Sequence, residues 1–257
     1  MHLKNIKTKC LNYNTMLLEN EVLEDLQYNN LYIIQKKDGF RFGMDPILLS
    51  DFSQIRNHDS IVDLGTGTGI ISILLSQKVK HCSIKAFEIQ EHMANMAQRS
   101  VLYNQLENKI LIIEDNYCNY IKYISKNSID VVVCNPPYGR QKSTIQCEDS
   151  SKNIAKHEIK TSLQNTIQTA SELLRFGGRF YICFPSTRLI ELVEALKMYK
   201  LEPKKMRFVH TKINKSPYLV LMESVKNGKP FLQILPPLQI YKEDNIYTEE
   251  VNKIYHI

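Results

Sequence analysis

From Ser60 onward the chain alternates short apolar segments with longer segments of helical period. Ile61 to Leu64, Ser83 to Glu88, Lys109 to Ile113, Ile129 to Cys134 and Arg179 to Phe184 read as strands. Apolar residues recur at helical spacing over 70–78, 91–104, 159–176 and 187–200, and the third of these stops at Gly177-Gly178. Strand then helix, repeated, is the pattern of a doubly wound α/β sheet, because parallel neighbours need a crossover between them. Met206 to His210 and Tyr218 to Glu223 also have strand character, but they lie too close together for a crossover helix. They predict an antiparallel hairpin at the edge of a mostly parallel sheet.

The first sixty residues form a lead-in. Leu31 to Ile34 and Phe40 to Phe42 flank Asp38-Gly39, the signature of a β-hairpin. Asp45-Pro46 then offers an N-cap and a proline at the first helical position for the apolar segment Ile47 to Phe52. Residues 140–155 have no period and read as a long loop, a kind of segment that often carries function. Neither an internal repeat nor a compositional break divides the 257 residues. The expectation is one domain, with a lead-in over 1–58, a core over 59–225 and an extension over 226–257.

Composition narrows the class. With 43% hydrophobic and 23% charged residues, the chain is neither disordered nor collagen-like. Its apolar runs fall far short of the roughly 20 residues a membrane span needs. Lys4, Lys7 and Lys9 are followed by a segment broken by Asn12, Asn14, Glu19 and Glu21, which is no signal-peptide core, so a cytoplasmic location is expected. The six cysteines include no Cys-x-x-Cys pair and no zinc-like His spacing, which suits a reducing compartment and no metal. The net charge is +6, and residues 136–215 carry 15 basic against 7 acidic side chains while both flanking segments are near balance. Such an excess suits a polyanionic substrate. A compositional bias explains it equally well, since 25 of the 33 basic residues are Lys in a chain rich in Asn and Ile.

Two segments carry chemistry. Ile61-Val62-Asp63-Leu64-Gly65-Thr66-Gly67-Thr68-Gly69 is a strand ending in an acid, followed by alternating glycines and a helix. Glycines let the backbone turn sharply and approach a ligand, and a helix start favours an anionic group. A dinucleotide fingerprint needs a glycine where Ile70 stands, so NAD is disfavoured. Glu88 ends the next strand, 25 residues after Asp63, where an acid can accept both hydroxyls of a ribose. The second segment runs from Ile129 to Cys134 into Asn135-Pro136-Pro137-Tyr138. Its prolines fix φ and remove two backbone donors, which leaves carbonyl oxygens facing the site. The Asn135 oxygen and the Pro136 carbonyl can accept the two N–H groups of a planar amine, with Tyr138 stacked on its ring. Such an amine is a poor nucleophile until its lone pair is turned out of the plane.

The glycine segment resembles motif I of the S-adenosylmethionine-dependent methyltransferases of Rossmann-like class I fold, and the tetrapeptide resembles that of the amino methyltransferases. The resemblance implies a mostly parallel seven-stranded sheet. It also implies that Asp63, Gly65, Thr66, Gly67 and Gly69 hold the methionine portion of S-adenosyl-L-methionine and Glu88 the ribose. Ile89 packs on the adenine in this reading, Asp115 accepts from the adenine amino group with Asn116 beside it, and Asn135 borders cofactor and target. Within that group the chain is similar along most of its length to the bacterial tRNA(Val) adenine-N6 methyltransferases, which act on the adenosine next to the anticodon. Gly39 to Leu49, Ile154 to Glu158, Pro203 to His210, and Leu235-Pro236-Pro237-Leu238 with Ile240-Tyr241 and Tyr247-Thr248 carry that similarity. It implies tRNA as substrate, and Arg41, Phe42, Gly43 and Asp45 shaping the cofactor pocket. Arg140 and Lys142 are the candidate RNA contacts. Gly139 and Lys156 depart from the family pattern, and the His157-Glu158 pair reads as a helix-opening charge arrangement rather than a catalytic pair. A glutamine methyltransferase of release factors, or an rRNA adenine-N6 or guanine-N2 enzyme, are the alternatives. No obligate protein partner is evident.

Overall fold

In a computed structural model, the structure describes residues 16–38, 43–137, 163–243 and 246–255. The lead-in holds β1 (Glu21–Asp25), β2 (Tyr32–Lys36) and α1 (Asp45–Phe52). The core follows as β3 (Ser60–Leu64), α2 (Ile70–Gln77), β4 (Ser83–Glu88), α3 (Glu91–Tyr103), β5 (Ile110–Glu114), β6 (Ile129–Cys134), α4 (163–173), β7 (Leu174–Pro185), α5 (Leu189–Met198), β8 (Leu201–His210) and β9 (Leu219–Lys226). A tail of β10 (Gln233–Ile234), β11 (Leu238–Gln239), β12 (Tyr241–Glu243), β13 (Ile246–Tyr247) and α6 (Glu249–Tyr255) closes the chain.

The seven long strands stand in the order β5-β4-β3-β6-β7-β9-β8, and only β9 runs against the rest. The sheet is therefore doubly wound and Rossmann-like, as the alternation predicts. One detail differs: among the described residues the sheet has nine strands rather than seven, because β10 and β11 add two residues each along the outer side of β8. They cover backbone donors and acceptors that an exposed edge would otherwise present. The expected antiparallel hairpin stands at that edge, with β9 between β7 and β8. That placement makes β8 parallel to β7, so the end of β8 points to the same sheet edge as the end of β6.

In the lead-in, β2 pairs with the upstream β1, in register from Glu21↔Lys36 to Asp25↔Tyr32. Gln27, Asn29 and Asn30 adopt positive φ in the connection, a conformation Asn tolerates better than most residues. Phe40 to Phe42 lie outside the described residues. Asp45 is not the N-cap of α1: Met44 is, without a side-chain cap bond, and Asp45 is the first helical residue. Gly177-Gly178 does not end a helix either. The helix stops at 173, and the glycines sit in a bulge where Ile129 pairs with Leu174 but Val131 pairs with Arg179. Gly177 has φ +73°, and a Cβ on Gly178 would come within 3.1 Å of the Ile129 oxygen, so the bulge needs both glycines.

Alternate residues of each strand face opposite layers. Ile61, Ile84, Val131, Val133, Tyr181 and Leu221 pack with the lead-in, α2, α3 and the tail residues Leu238, Ile240 and Val251. Val62, Leu64, Phe87, Val132, Phe180 and Ile182 pack with α4 and α5. Both faces of the sheet are buried, which leaves the carboxyl ends of the strands as the open edge. No helix among the described residues is long and apolar enough to cross a membrane.

Candidate active site

The carboxyl ends of β3, β4, β5 and β6 are neighbours, and the candidate residues sit on them. Leaving β3, the chain turns through Gly65, Gly67 and Gly69 at φ +76°, +60° and +93°. These backbone angles strain any residue with a Cβ. An added Cβ at Gly65 or Gly67 would meet nothing within 4 Å, so open room lies over the loop. The loop supports itself: the amides of Gly65 and Thr66 donate to the Phe87 carbonyl at 3.0 and 2.8 Å, and that of Gly69 to the Thr66 carbonyl at 3.0 Å.

Asp63, wholly buried beneath this loop, has two unlike oxygens. Oδ2 accepts from the Thr66 hydroxyl at 2.7 Å and the Ser72 hydroxyl at 2.8 Å. Oδ1 is buried with no hydrogen-bond partner among the described residues. Burial pushes the carboxyl up to about 6 from 3.8, partly offset by the two hydroxyls. A buried carboxylate with one vacant oxygen under a left-handed glycine loop can accept a donor carried by a ligand.

Glu88 lies beside it, 5% exposed. Its Oε2 accepts from the Gly67 amide at 2.9 Å and its Oε1 from the Gln90 amide at 2.9 Å. A carboxylate accepts about four hydrogen bonds, so each oxygen keeps capacity for one hydroxyl of a diol. Ile89 follows with 64% of its surface exposed, an apolar side chain standing at the same edge. Asp115 differs. Its Oδ1 accepts from the Asn116 amide and the Asn119 side chain, both at 2.7 Å, and its Oδ2 from Lys122 at 3.1 Å and the Tyr123 hydroxyl at 2.9 Å. Those donors, the Asn119 amide foremost, hold its carboxyl well below the usual range. Asn116 caps the following turn, its side chain accepting from the Cys118 amide at 2.9 Å.

On the other side of β3, Asn135 leaves β6 half-buried, with Pro136 buried and Pro137 exposed. The Cys183 thiol donates to the Asn135 side-chain oxygen at 3.0 Å. The Cys134 thiol donates to the Leu64 carbonyl at 3.2 Å, joining the ends of β6 and β3. Asp45 reaches the same edge through the Tyr218 hydroxyl, which donates to its Oδ1 at 3.3 Å. Burial, then that carboxylate, raise the Tyr218 phenol far above its ordinary value. Gly43 is described and exposed. Arg41, Phe42, Tyr138, Arg140, Lys142, His157 and Glu158 lie outside the described residues.

Sequence reasoning missed Ser72, Cys183 and Tyr218. Ser72 sits one turn into α2 and shows as a candidate only once that helix is placed over Asp63. The charge excess over 136–215, which the sequence left open between a polyanion surface and a compositional bias, is partly matched within the fold. Arg175 pairs with Asp130 and Arg179 with Asp59, both at 2.6 Å, Lys205 with Glu223 at 3.3 Å and Arg207 with Glu250 at 2.7 Å. Each of these cations is met by an acid from outside the 136–215 stretch, so much of the excess is neutralised in three dimensions.

Vacant Asp63 oxygen, open glycine loop, diol-ready Glu88 and exposed Ile89 fit S-adenosylmethionine from its ammonium to its adenine. A Rossmann-like sheet with this loop and an Asn-Pro-Pro turn at the neighbouring strand end defines a methyltransferase. Residues 43–208 match the profile of the methyltransferase small domain family, and the chain belongs to that family. It is 27% identical over 234 residues to a Haemophilus influenzae protein named tRNA1(Val) (adenine(37)-N6)-methyltransferase, covering 90% of this chain and 97% of the relative. A Bacteroides thetaiotaomicron protein of the same name is 24% identical, covering 89% and 96%. Among solved structures, a predicted O-methyltransferase from Agrobacterium tumefaciens superposes with a TM-score of 0.68 at 18% identity, over 83% of this chain and 96% of that one.

Proposed function

We infer that this chain transfers a methyl group from S-adenosyl-L-methionine to the N6 amino group of an adenosine in tRNA, position 37 of a valine tRNA by its likeness to the named relatives. The single observation that carries the reading is Asn135-Pro136-Pro137 at the end of β6, one strand from the Asp63–Gly69 loop. The bound cofactor supplies the methyl group as an electrophilic sulfonium.

The chain's residues do the rest. Asp63 Oδ1 accepts from the ammonium, and Glu88 accepts from the two ribose hydroxyls. Ile89 covers one face of the adenine. Asp115 takes the adenine amino group in exchange for Lys122, the longest of its four bonds, and Asn116 fixes the turn that holds it. The lead-in residues Arg41, Phe42, Gly43 and Asp45 shape the cofactor pocket in this reading. Asn135 Oδ1 and the Pro136 carbonyl accept the two N6 hydrogens of the target adenine, which turns the nitrogen lone pair out of the ring plane and towards the methyl carbon. Pro137 keeps the turn rigid and Tyr138 stacks on the base. The methylated ammonium is acidic enough to lose its proton to water, so the site needs no strong base, and the rate comes mainly from positioning. A base in a stacked loop must first be extruded, at a cost of a few kcal/mol. Arg140 and Lys142 contact the flanking phosphates. The reaction is cytoplasmic in this reading.

The test is transfer of labelled methyl from S-adenosylmethionine to unmodified tRNA, release factor and duplex DNA in parallel. Label in tRNA, recovered as N6-methyladenosine, is the expected result. Label in the release factor alone would replace the nucleic-acid reading by glutamine methylation.

A further inference from the structure

We propose that Cys183 is a positioning residue for methyl transfer: its thiol, donating to the Asn135 side-chain oxygen, fixes which end of that amide faces the target amine. The role rests on the reading of Asn135 as an acceptor of the amine's hydrogens, and it says what holds that acceptor in place.

Register puts the two residues side by side. β6 and β7 run parallel, with Val133 beside Tyr181 and Cys134 beside Ile182. There β6 ends, whereas β7 continues to Pro185. The next step of the same register sets Cys183 beside Asn135, the first residue of the Asn-Pro-Pro turn. Side chains alternate along β7, so Tyr181 and Cys183 face the lead-in layer, while Ile182 packs with Cys134 in the layer of α4 and α5. The two buried cysteines thus make different bonds. Cys134 donates to the Leu64 carbonyl at 3.2 Å, and Cys183 donates to Asn135 Oδ1 at 3.0 Å.

One partner is fixed and the other is not fixed by its own strand. Cys183 is fully buried in the sheet, with β6 on one side and Leu221 of β9 paired with it on the other. Asn135 stands half-buried just past the end of β6. The terminal torsion of an asparagine is broad and roughly two-fold, so its own rotamer preference does not choose between presenting oxygen and presenting nitrogen. For this chemistry the ends are not equivalent. The oxygen accepts an amine hydrogen, whereas the NH2 group in its place sets donor against donor. A thiol tells the two ends apart, because it donates to the oxygen while its sulfur is only a weak acceptor for the NH2. An amide oxygen accepts two hydrogen bonds, so the thiol on one lone pair is compatible with the target amine on the other. The gain is an acceptor oriented before the substrate arrives. In this arrangement Cys183 acts through Asn135 and touches neither base nor cofactor.

A role in packing alone leaves a different signature. A thiol behaves in a core as a small apolar group, whereas a buried hydroxyl is costly unless it is bonded. If Cys183 only filled space, Cys183→Ser would do more harm than Cys183→Ala. If it orients Asn135, the order is reversed.

The experiment measures single-turnover methyl transfer to unmodified tRNA at saturating S-adenosylmethionine, with tRNA and cofactor affinities measured alongside. Cys183→Ala and the bulkier Cys183→Val both remove the donor, and each should slow transfer about fivefold, the worth of one net hydrogen bond, with both affinities near wild type. Cys183→Ser, which supplies a donor again, should recover most of the rate. In an Asn135→Ala background, Cys183→Ala should slow transfer no further, because the group it orients is gone. A serine variant slower than the alanine variant would make Cys183 a packing residue and overturn the proposal. So would an equal fractional loss from Cys183→Ala with and without Asn135, and in either case wild-type methylation of tRNA leaves the functional reading intact. A wild-type protein that methylates none of tRNA, release factor and DNA overturns that reading and the positioning role with it.

Discussion

Asp63 and Asp115 are the same residue type at the ends of two strands of one sheet, separated by β4, and their surroundings drive them apart. Asp63 is wholly buried with one oxygen unmatched, and its carboxyl is pushed up to about 6. Asp115 is met by four donors from its own turn and is held well below its ordinary value. A strand-end acid is thus a ligand group only in proportion to what its neighbours leave vacant. The β3 end leaves one oxygen unmatched, whereas both oxygens at the β5 end are already met.

The largest effect tests the third strand end. Asn135→Ala should lower kcat on the order of 10² to 10³ while cofactor affinity stays near wild type, because its oxygen acts on the substrate nitrogen. Calorimetry showing that S-adenosylmethionine no longer binds this variant would move Asn135 to the cofactor side of the site.

Asp63→Asn should weaken S-adenosylmethionine binding by about ten- to a hundredfold, the range for a hydrogen bond to a charged group. Binding by the wild-type protein should also tighten as pH rises through about 6, where Asp63 becomes the carboxylate that attracts an ammonium, and the variant should lose that step. Folding stability should respond with the opposite sign. The carboxyl is harder to ionise in the folded chain, so stability falls between about pH 4 and pH 6, by about 3 kcal/mol for this group alone, and its contribution is constant above. A flat binding profile in the wild type would mean that no cation meets Asp63.

Asp115→Asn should loosen the turn over 116–123 and cost less cofactor affinity than Asp63→Asn, since its oxygens are already met by four donors of its own turn. If Asp115→Asn proved the more damaging of the two, the contrast between the strand ends would be inverted. The smallest effect belongs to Ile89→Ser, a loss of about threefold in cofactor affinity from one partly exposed apolar contact.

The sheet and both chemical segments were legible because strand ends, glycine spacing and the prolines are local signals. β4 and β6 carry the bounds that the periodicity predicts. What was not legible depends on partners far along the chain. Glu21–Asp25 has no alternating pattern of its own and becomes a strand through β2. A glycine pair serves a helix cap and a strand bulge alike, and only the close approach of the Ile129 carbonyl decides for the bulge at Gly178. The hairpin at 201–226 reads the same in sequence whether its second strand lies outside or inside. What the segment charge meant was not legible for a similar reason: Arg179 is matched by Asp59, 120 residues away.

The account stands most directly on where the methyl group goes. Valine tRNA transcribed without modifications, incubated with the protein and labelled cofactor, then cut into oligonucleotides and sequenced by mass, should carry a single methyl on adenine N6 at position 37. A methyl on another atom or nucleotide, or an unmodified tRNA after incubation with protein that binds the cofactor, would contradict the assignment of Asn135 and Pro136 to an adenine amino group.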